Sequence, residues 1–273
     1  MKTSNKRKHV INYNLKNEQI ADLLVTDKCN FNCAFCIASY MINTDQQILD
    51  IKTLKEFVLP VLKEKGITHV GISGGEPTLN EHLPTICKIL HENGYQLNIA
   101  SNGYDSDILV ECSQYINYVS LALNSLKAKE INELNNKLSC QLRVHGLIYK
   151  NHYDSLESIQ LLRDELDKTI ILDFSTLRTT NEWTKGCTNK ALARSNDFTE
   201  KNKVDENLLL NFGTKMETVN GVIVKIPHSN GNIDIILRDL SVKQFGEPTD
   251  EQLIITYSKE VYYGFNDLIK KYI

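Results

Sequence analysis

From Ala21 to Arg178 the chain repeats one unit: a short apolar, β-branched run followed by a segment with apolar residues every three or four positions. The first kind has the length of a strand and the second the period of an amphipathic helix. "ADLLVTD", "THVGISGG", "YQLNIASNG", "YVSLALNS", "CQLRVHGLIY" and "TIILDFSTLR" read as strands. "IKTLKEFVLPVLKEKG", "EHLPTICKILHENG", "SDILVECSQY", "KAKEINELNNKL" and "DSLESIQLLRDEL" read as helices, with Gly66 and Gly94 as stops and Pro60 as a kink. Strands separated by helices of that length form right-handed parallel crossovers. The expected architecture is α/β, with about six parallel strands in an open sheet or a partial barrel and ligands gathered at the carboxyl ends of the strands.

From Thr179 to about Glu217 the periodicity lapses into Asn, Thr and Lys around a short helical segment near Asp205 to Asn211, and this region reads as a surface loop. Asn220-Gly221 and Asn230-Gly231, set between β-branched runs, are hairpin signals. The stretch "LIITYSKEVYYGFNDLIKKYI" adds a strand or two and a closing helix. The expected division is a flexible N-terminal segment over residues 1–19, a core over 20–180, and a loop and β-rich C-terminal extension over 181–273 that closes the barrel.

A hydrophobic share of 41% in 273 residues supports a large buried core and excludes a disordered chain. The net charge of -3 gives no general attraction to nucleic acid, and the one basic cluster, Lys2, Lys6, Arg7 and Lys8, reads as a solvated tail. No apolar run of about 18 residues and no signal-peptide pattern is present, so no membrane partner and a cytoplasmic location are expected. Thiols stay reduced there, so the seven cysteines are not a disulfide framework.

Three of those cysteines crowd into "TDKCNFNCAFCIASY" as Cys29, Cys33 and Cys36. Four ligands close a structural zinc site, and four cysteines hold a cubane iron–sulfur cluster. Three leave one coordination position for a ligand from outside. The residues between them, Asn30, Phe31, Asn32, Ala34 and Phe35, are mostly small or flat, as a tight wrap requires. One helix later, "GISGGEPTL" places Ser73, Gly74, Gly75, Glu76 and Pro77 at a strand end. Glycines admit close backbone approach and a carboxylate can take an ammonium, although such a run by itself is an ordinary turn.

Cys29-x-x-x-Cys33-x-x-Cys36, with the aromatic Phe35 before the third cysteine, followed by Gly74-Gly75-Glu76-Pro77, resembles the signature of the radical S-adenosylmethionine (SAM) superfamily. The resemblance implies a partial (β/α)6 barrel with a C-terminal β-rich extension and an oxygen-sensitive [4Fe-4S] cluster on the three cysteines. It implies that SAM is chelated at the open iron, its amino group held by the Gly-Gly-Glu-Pro segment and Phe35 close by. One electron from an external donor such as flavodoxin or ferredoxin then cleaves SAM, and the 5′-deoxyadenosyl radical takes hydrogen from a substrate. "IASNG" and "SLALNS" resemble further strand ends of the family, which marks Ser101, Asn102 and Asn124 as hydrogen-bonding groups for SAM, with plain turn polars as the alternative. Gly146 matches the region whose backbone lies along the adenine. "LDFSTLRTTNEW" and the hairpins look distantly similar to the molybdenum-cofactor GTP cyclase branch, but Cys187 is the only cysteine beyond Arg178, so that branch's second cluster is not expected.

Period-two alternation puts Arg143, His145 and Leu147 on one face of the fifth strand and Val144, Gly146 and Ile148 on the other. His145 and Arg143 then reach substrate or SAM, or are satisfied in the core. Arg178 clamps an anion or is solvated, and Cys187 donates a hydrogen atom or is a plain loop cysteine. Tyr104 and Tyr149 line the pocket or pack, while Cys87, Cys112 and Cys140 read as buried apolar fillers. A small molecule of nucleotide, sugar or natural-product type is the first expected substrate. A peptide or protein, including a glycyl-radical enzyme to be activated, is second, and nucleic acid is third. A non-catalytic metal or electron-transfer module is the reading from a different class, and it leaves "SGGEPT" without a purpose.

Overall fold

The computed structural model describes residues 20–124, 126–177, 189–218, 221–238 and 252–271. In it β1 (Ile20–Leu24), β2 (His69–Ser73), β3 (Gln96–Ser101), β4 (Tyr118–Ala122), β5 (Gln141–Ile148) and β6 (Ile171–Thr176) lie side by side, every neighbouring pair parallel. Helices α2 (Leu83–Glu92), α3 (Ser106–Cys112), α4 (Ala128–Lys137) and α5 (Leu156–Glu165) make the later crossovers. The first crossover, α1, runs through Ile51–Thr53, a π-type turn at Leu54–Val58, and Leu59–Glu64. Pro60 has no N–H for the helical ladder. The irregularity sits one turn ahead of it, where the Leu59 N–H reaches back to Leu54 O.

Side-chain alternation divides the sheet into two faces. On β5, Arg143, His145 and Leu147 are half-buried, while Leu142, Val144, Gly146 and Ile148 are buried. The buried face packs against the helices and forms the core with Ile99, Val119, Leu109, Ile131 and Ile159. The other, inner face stays open, since even Ala100 on the central strand β3 is exposed. Gly146 lies on the buried face. A Cβ there would fall 2.3 Å from Cε1 of Phe174 on β6, so its missing side chain makes room for a ring of the protein itself.

Beyond β6 the expected surface loop is corrected. Lys190–Asn202 forms a helix of 13 residues, α6, capped by Asn189, whose Oδ1 accepts from the Ala191 and Leu192 N–H groups, both at 3.1 Å. Its buried side is Leu192, Ser195, Asn196 and Thr199. These recur at helical spacing but are mostly polar, so hydrophobicity does not reveal them. A short helix α7 (Glu206–Leu209) follows within the expected segment.

Strands β7 (Thr214–Thr218), β8 (Gly221–Ile226) and β9 (Ile233–Arg238) form antiparallel hairpins, as the Asn-Gly pairs predict; residues 219 and 220 of the first turn lie outside the described residues. In the second turn Asn230 Nδ2 donates to the carbonyls of Arg163, at 2.7 Å, and Leu166, at 2.6 Å, satisfying the open end of α5. Strand β9 then lies parallel to β6. At the opposite edge β10 (Gln252–Thr256) pairs parallel with β1, and β11 (Val261–Tyr263) adds antiparallel to β10 before the last helix, α8 (Phe265–Lys270). The parallel run therefore has two strands more than the sequence predicts, β9 and β10, one at each edge.

Gly146→Ala tests the packing of β5 on β6. The added methyl meets a buried ring, and overpacking of this kind costs about 1–3 kcal/mol. Urea unfolding should show a lower midpoint with an unchanged slope.

Candidate active site

The cysteine loop leaves the end of β1 and returns beside it, where Thr26 and Ile48 form an isolated bridge. Successive turns coil the loop: Cys36 N–H to Cys33 O at 3.2 Å, Ser39 N–H to Cys36 O at 3.2 Å, and Met41 N–H to Ala38 O at 3.0 Å. Tyr40 and Met41 are buried and anchor it to the core. Cys29, Cys33 and Cys36 are free, half-buried thiols that line one cavity of about 500 Å³, joined there by Lys190 and Arg194 of α6. Burial pushes the Cys36 thiol up to about 11, and it raises Cys29 and Cys33 as well. Metal binding to such thiols must displace protons. Among the described residues no three His, Cys, Asp or Glu side chains converge on a single ion. The three thiols line one cavity, and cysteine thiolates are the usual ligands of iron–sulfur clusters.

The Gly-Gly-Glu segment abuts the start of this loop. Gly75 N–H donates to Thr26 O at 2.8 Å and Glu76 N–H to Lys28 O at 2.7 Å. A Cβ at Gly74 would lie 2.3 Å from Thr26 O, and one at Gly75 would lie 2.1 Å from Lys28 O. These glycines thus permit close approach to the protein's own backbone, one residue before Cys29. Glu76 is buried at 1% exposure, and its carboxylate gathers the next strand end. Oε1 accepts from Thr78 N–H at 3.1 Å, Thr78 Oγ1 at 2.7 Å and Ser101 Oγ at 2.7 Å, while Oε2 accepts from Asn102 N–H at 2.7 Å. Asn102 Nδ2 in turn donates to Asn30 Oδ1 at 2.9 Å, tying the β3 end to the cysteine loop. Pro77 is buried at the start of a 3₁₀ turn, and Ser73 O accepts from Val25 N–H at 2.9 Å.

Asn124 Nδ2 approaches Cys33 Sγ at 3.9 Å. The Phe35 ring sits 6.2 Å from Tyr149 and 6.3 Å from Phe198 of α6, and Arg194 donates to Asn32 Oδ1, so α6 lies against the cysteine loop. Tyr104 is 60% exposed. Arg178 and Cys187 lie outside the described residues.

On the inner face the structure joins Arg143 and His145 to a residue that the sequence reading passed over. Asp173, fully buried on β6, forms an ion pair with Arg143 and lies with Oδ1 2.5 Å from His145 Nδ1. His145 Nε2 faces Ser175 Oγ at 3.0 Å. Burial opposes charge on Asp173, but His145 and Arg143 outweigh it and hold the carboxyl below its ordinary value. An ionised Asp173 requires a proton on Nδ1 of His145, leaving Nε2 to the Ser175 hydroxyl. A charged residue inside the apolar run "IILDFST" was the available signal.

A family model described as "Radical SAM superfamily" matches residues 23–177. The chain belongs to the radical SAM superfamily. Membership implies a [4Fe-4S] cluster and SAM, and the three thiols around one cavity fit the cluster. Radical SAM enzymes need a reductant. The S-adenosylmethionine-dependent nucleotide dehydratase of a Thermoplasmatales archaeon (strain ISO4-H5) is 28% identical over 114 residues, 41% of this chain and 40% of that protein. A GTP 3′,8-cyclase of Helicobacter pylori (strain J99) is 25% identical over 129 residues, 45% of this chain and 40% of its own. The match thus spans about two fifths of the length of these curated relatives. Among solved structures, Streptococcus suis SuiB bound to its precursor peptide SuiA superposes with a TM-score of 0.57 at 16% identity, over 92% of this chain and 60% of that one, which places this member of the superfamily in the same fold. Among the described residues no helix is long and apolar enough to cross a membrane.

Asp173→Asn probes the inner-face network. A carboxyl held below its unfolded value of about 3.9 stabilises the fold above that pH, and its contribution fades as pH falls through the folded value. Breaking a buried pair costs about 3–5 kcal/mol. The variant should be less stable than wild type by urea unfolding near neutral pH, and the gap should close as the buffer is taken below about pH 4.

Proposed function

We propose that this radical SAM enzyme removes a hydrogen atom from a small-molecule substrate of nucleotide, sugar or natural-product type, held against the open inner face of the sheet. The observation that carries the reading is the set of three thiols around one cavity at the end of β1, in a sheet whose inner face stays open and polar. Bound there, the cluster and SAM supply reductive carbon–sulfur cleavage and the 5′-deoxyadenosyl radical, and the protein supplies placement and exclusion of water. Cys29, Cys33 and Cys36 hold the cluster. Phe35, Ser73, Gly74, Gly75, Glu76 and Pro77 shape the rim for SAM, with Ser101, Asn102, Asn124 and the backbone at Gly146 as further contacts. A flavodoxin or ferredoxin is the proposed electron donor. The dehydratase and cyclase relatives, by their names, act on nucleotides, which supports a nucleotide-like substrate.

His145 has the geometry of a proton-exchange group. Asp173 fixes its Nδ1–H, and Nε2 is directed to Ser175 beside the half-buried inner face. A hydroxyl or amine of the substrate that must lose or gain a proton would find its partner there.

The test is anaerobic reconstitution with iron and sulfide, then electron paramagnetic resonance of the reduced protein with and without SAM. The signal should change on adding SAM, and dithionite should then release 5′-deoxyadenosine. Alanine at Cys29, Cys33 or Cys36 should abolish both. A reduced signal indifferent to SAM would remove the reading. Incubation with nucleoside triphosphates, amino sugars and short peptides, followed by deuterium transfer from labelled candidates into 5′-deoxyadenosine, separates the substrate classes.

A further inference from the structure

The cysteine loop is closed at its neck by side chains that no cluster ligand contributes to. Asp27 is fully buried, and its carboxylate accepts four bonds from the returning arm of the loop: Oδ1 from Gln47 N–H at 2.7 Å, and Oδ2 from Asp45 N–H at 2.7 Å, Gln46 N–H at 3.0 Å and Thr44 Oγ1 at 3.3 Å. The Asp27 carbonyl accepts from Asn43 N–H at 2.8 Å, so the bond network wraps the turn from both sides. Asn43 stands at φ +57, a left-handed conformation that asparagine tolerates better than most residues. From there its amide reads Cys29 in both directions: Oδ1 accepts from Cys29 N–H at 3.0 Å and Nδ2 donates to Cys29 O at 3.1 Å. Asn80 adds a tie further back, with Nδ2 donating to Val25 O at 3.0 Å and Leu49 O at 3.1 Å, one on each arm of the loop.

We propose that Asn43, seated by Asp27, is a positioning residue for Cys29, fixing the backbone of the first cluster ligand so that the loop binds and retains its iron. The proposal rests on the three cysteines holding the cluster, the reading given above. Its logic is that of residues behind a metal ligand, which orient the donor and whose loss typically weakens metal retention about 10–100-fold. One bond holds the peptide unit before the Cys29 Cα and the other the unit after it, so together they restrict that residue's backbone more than either alone. Asp27 makes the restriction effective by immobilising the turn from which Asn43 reaches.

Asn43 is exposed, so the test need not disturb the core. Asn43→Gly removes both bonds, together with the one that Gln46 Nε2 donates to Asn43 Oδ1 at 3.0 Å, while leaving a residue at ease at positive φ. Asn151→Gly, an exposed asparagine at φ +63 in another loop, is the matched control. Wild type and both variants are reconstituted anaerobically with iron and sulfide. Melting temperature, the rate of iron loss to a ferrous chelator, and the paramagnetic resonance of the reduced cluster are then measured. With melting unchanged, Asn43→Gly should lose iron about 10-fold faster than wild type or more and show a broadened resonance, and Asn151→Gly should match wild type. Equal retention in Asn43→Gly and wild type, or equally fast loss from the control, overturns the proposal. If wild-type resonance ignores SAM, the radical reading falls instead, while the comparison of metal loss between the variants still decides the role of Asn43.

Discussion

Two backbone hydrogen bonds carry the architecture of the site: Gly75 N–H to Thr26 O and Glu76 N–H to Lys28 O. They extend the β1–β2 pairing past the ends of both strands, so the cysteine loop starts from a ladder with fixed register. The bonds are short because Gly74 and Gly75 have no Cβ to hold the backbones apart. Any larger residue there would have to displace main chain, which a packed interior resists. From the same segment Glu76 reaches across to Ser101 and Asn102, and Asn102 returns to Asn30. Three strand ends are thereby locked to one another before any ligand is considered.

This arrangement changes what the glycines and the glutamate mean. Read as a string, Gly-Gly-Glu looks like a surface offered to a ligand. Folded, its tightest approaches are to Thr26 and Lys28, and its carboxylate is engaged by four donors from the protein. A hydrogen-bonded rim of this kind holds its shape at little conformational cost when a ligand arrives, and that is the property a site must have if it is to confine a reactive radical.

The six central strands and the crossover helices were legible because each has a clean period, two for β5 and near 3.6 for α2 and α4. The cysteines and the Gly-Gly-Glu-Pro turn were legible because their spacing is local. Hidden were the features that depend on distant pairing. Helix α6 buries Ser195, Asn196 and Thr199, so its inner stripe looks like solvent-facing sequence. Asp173 becomes meaningful only when β5 delivers Arg143 and His145 beside it, and Asp27 only when residues 44–47 fold back over it. The strands β9 and β10 were visible as strands, but nothing local says that they extend opposite edges of the parallel sheet.

The position of β10 has a consequence for biogenesis. Strand β1, from which the cysteine loop springs, is flanked by β2 on one side and by β10 on the other, and β10 belongs to the far end of the described chain. During synthesis the thiols leave the ribosome before β10 does, so one edge of their supporting strand lacks that partner until β10 emerges. Until β10 follows, the nascent chain carries an unpaired edge of β1 next to the three thiols.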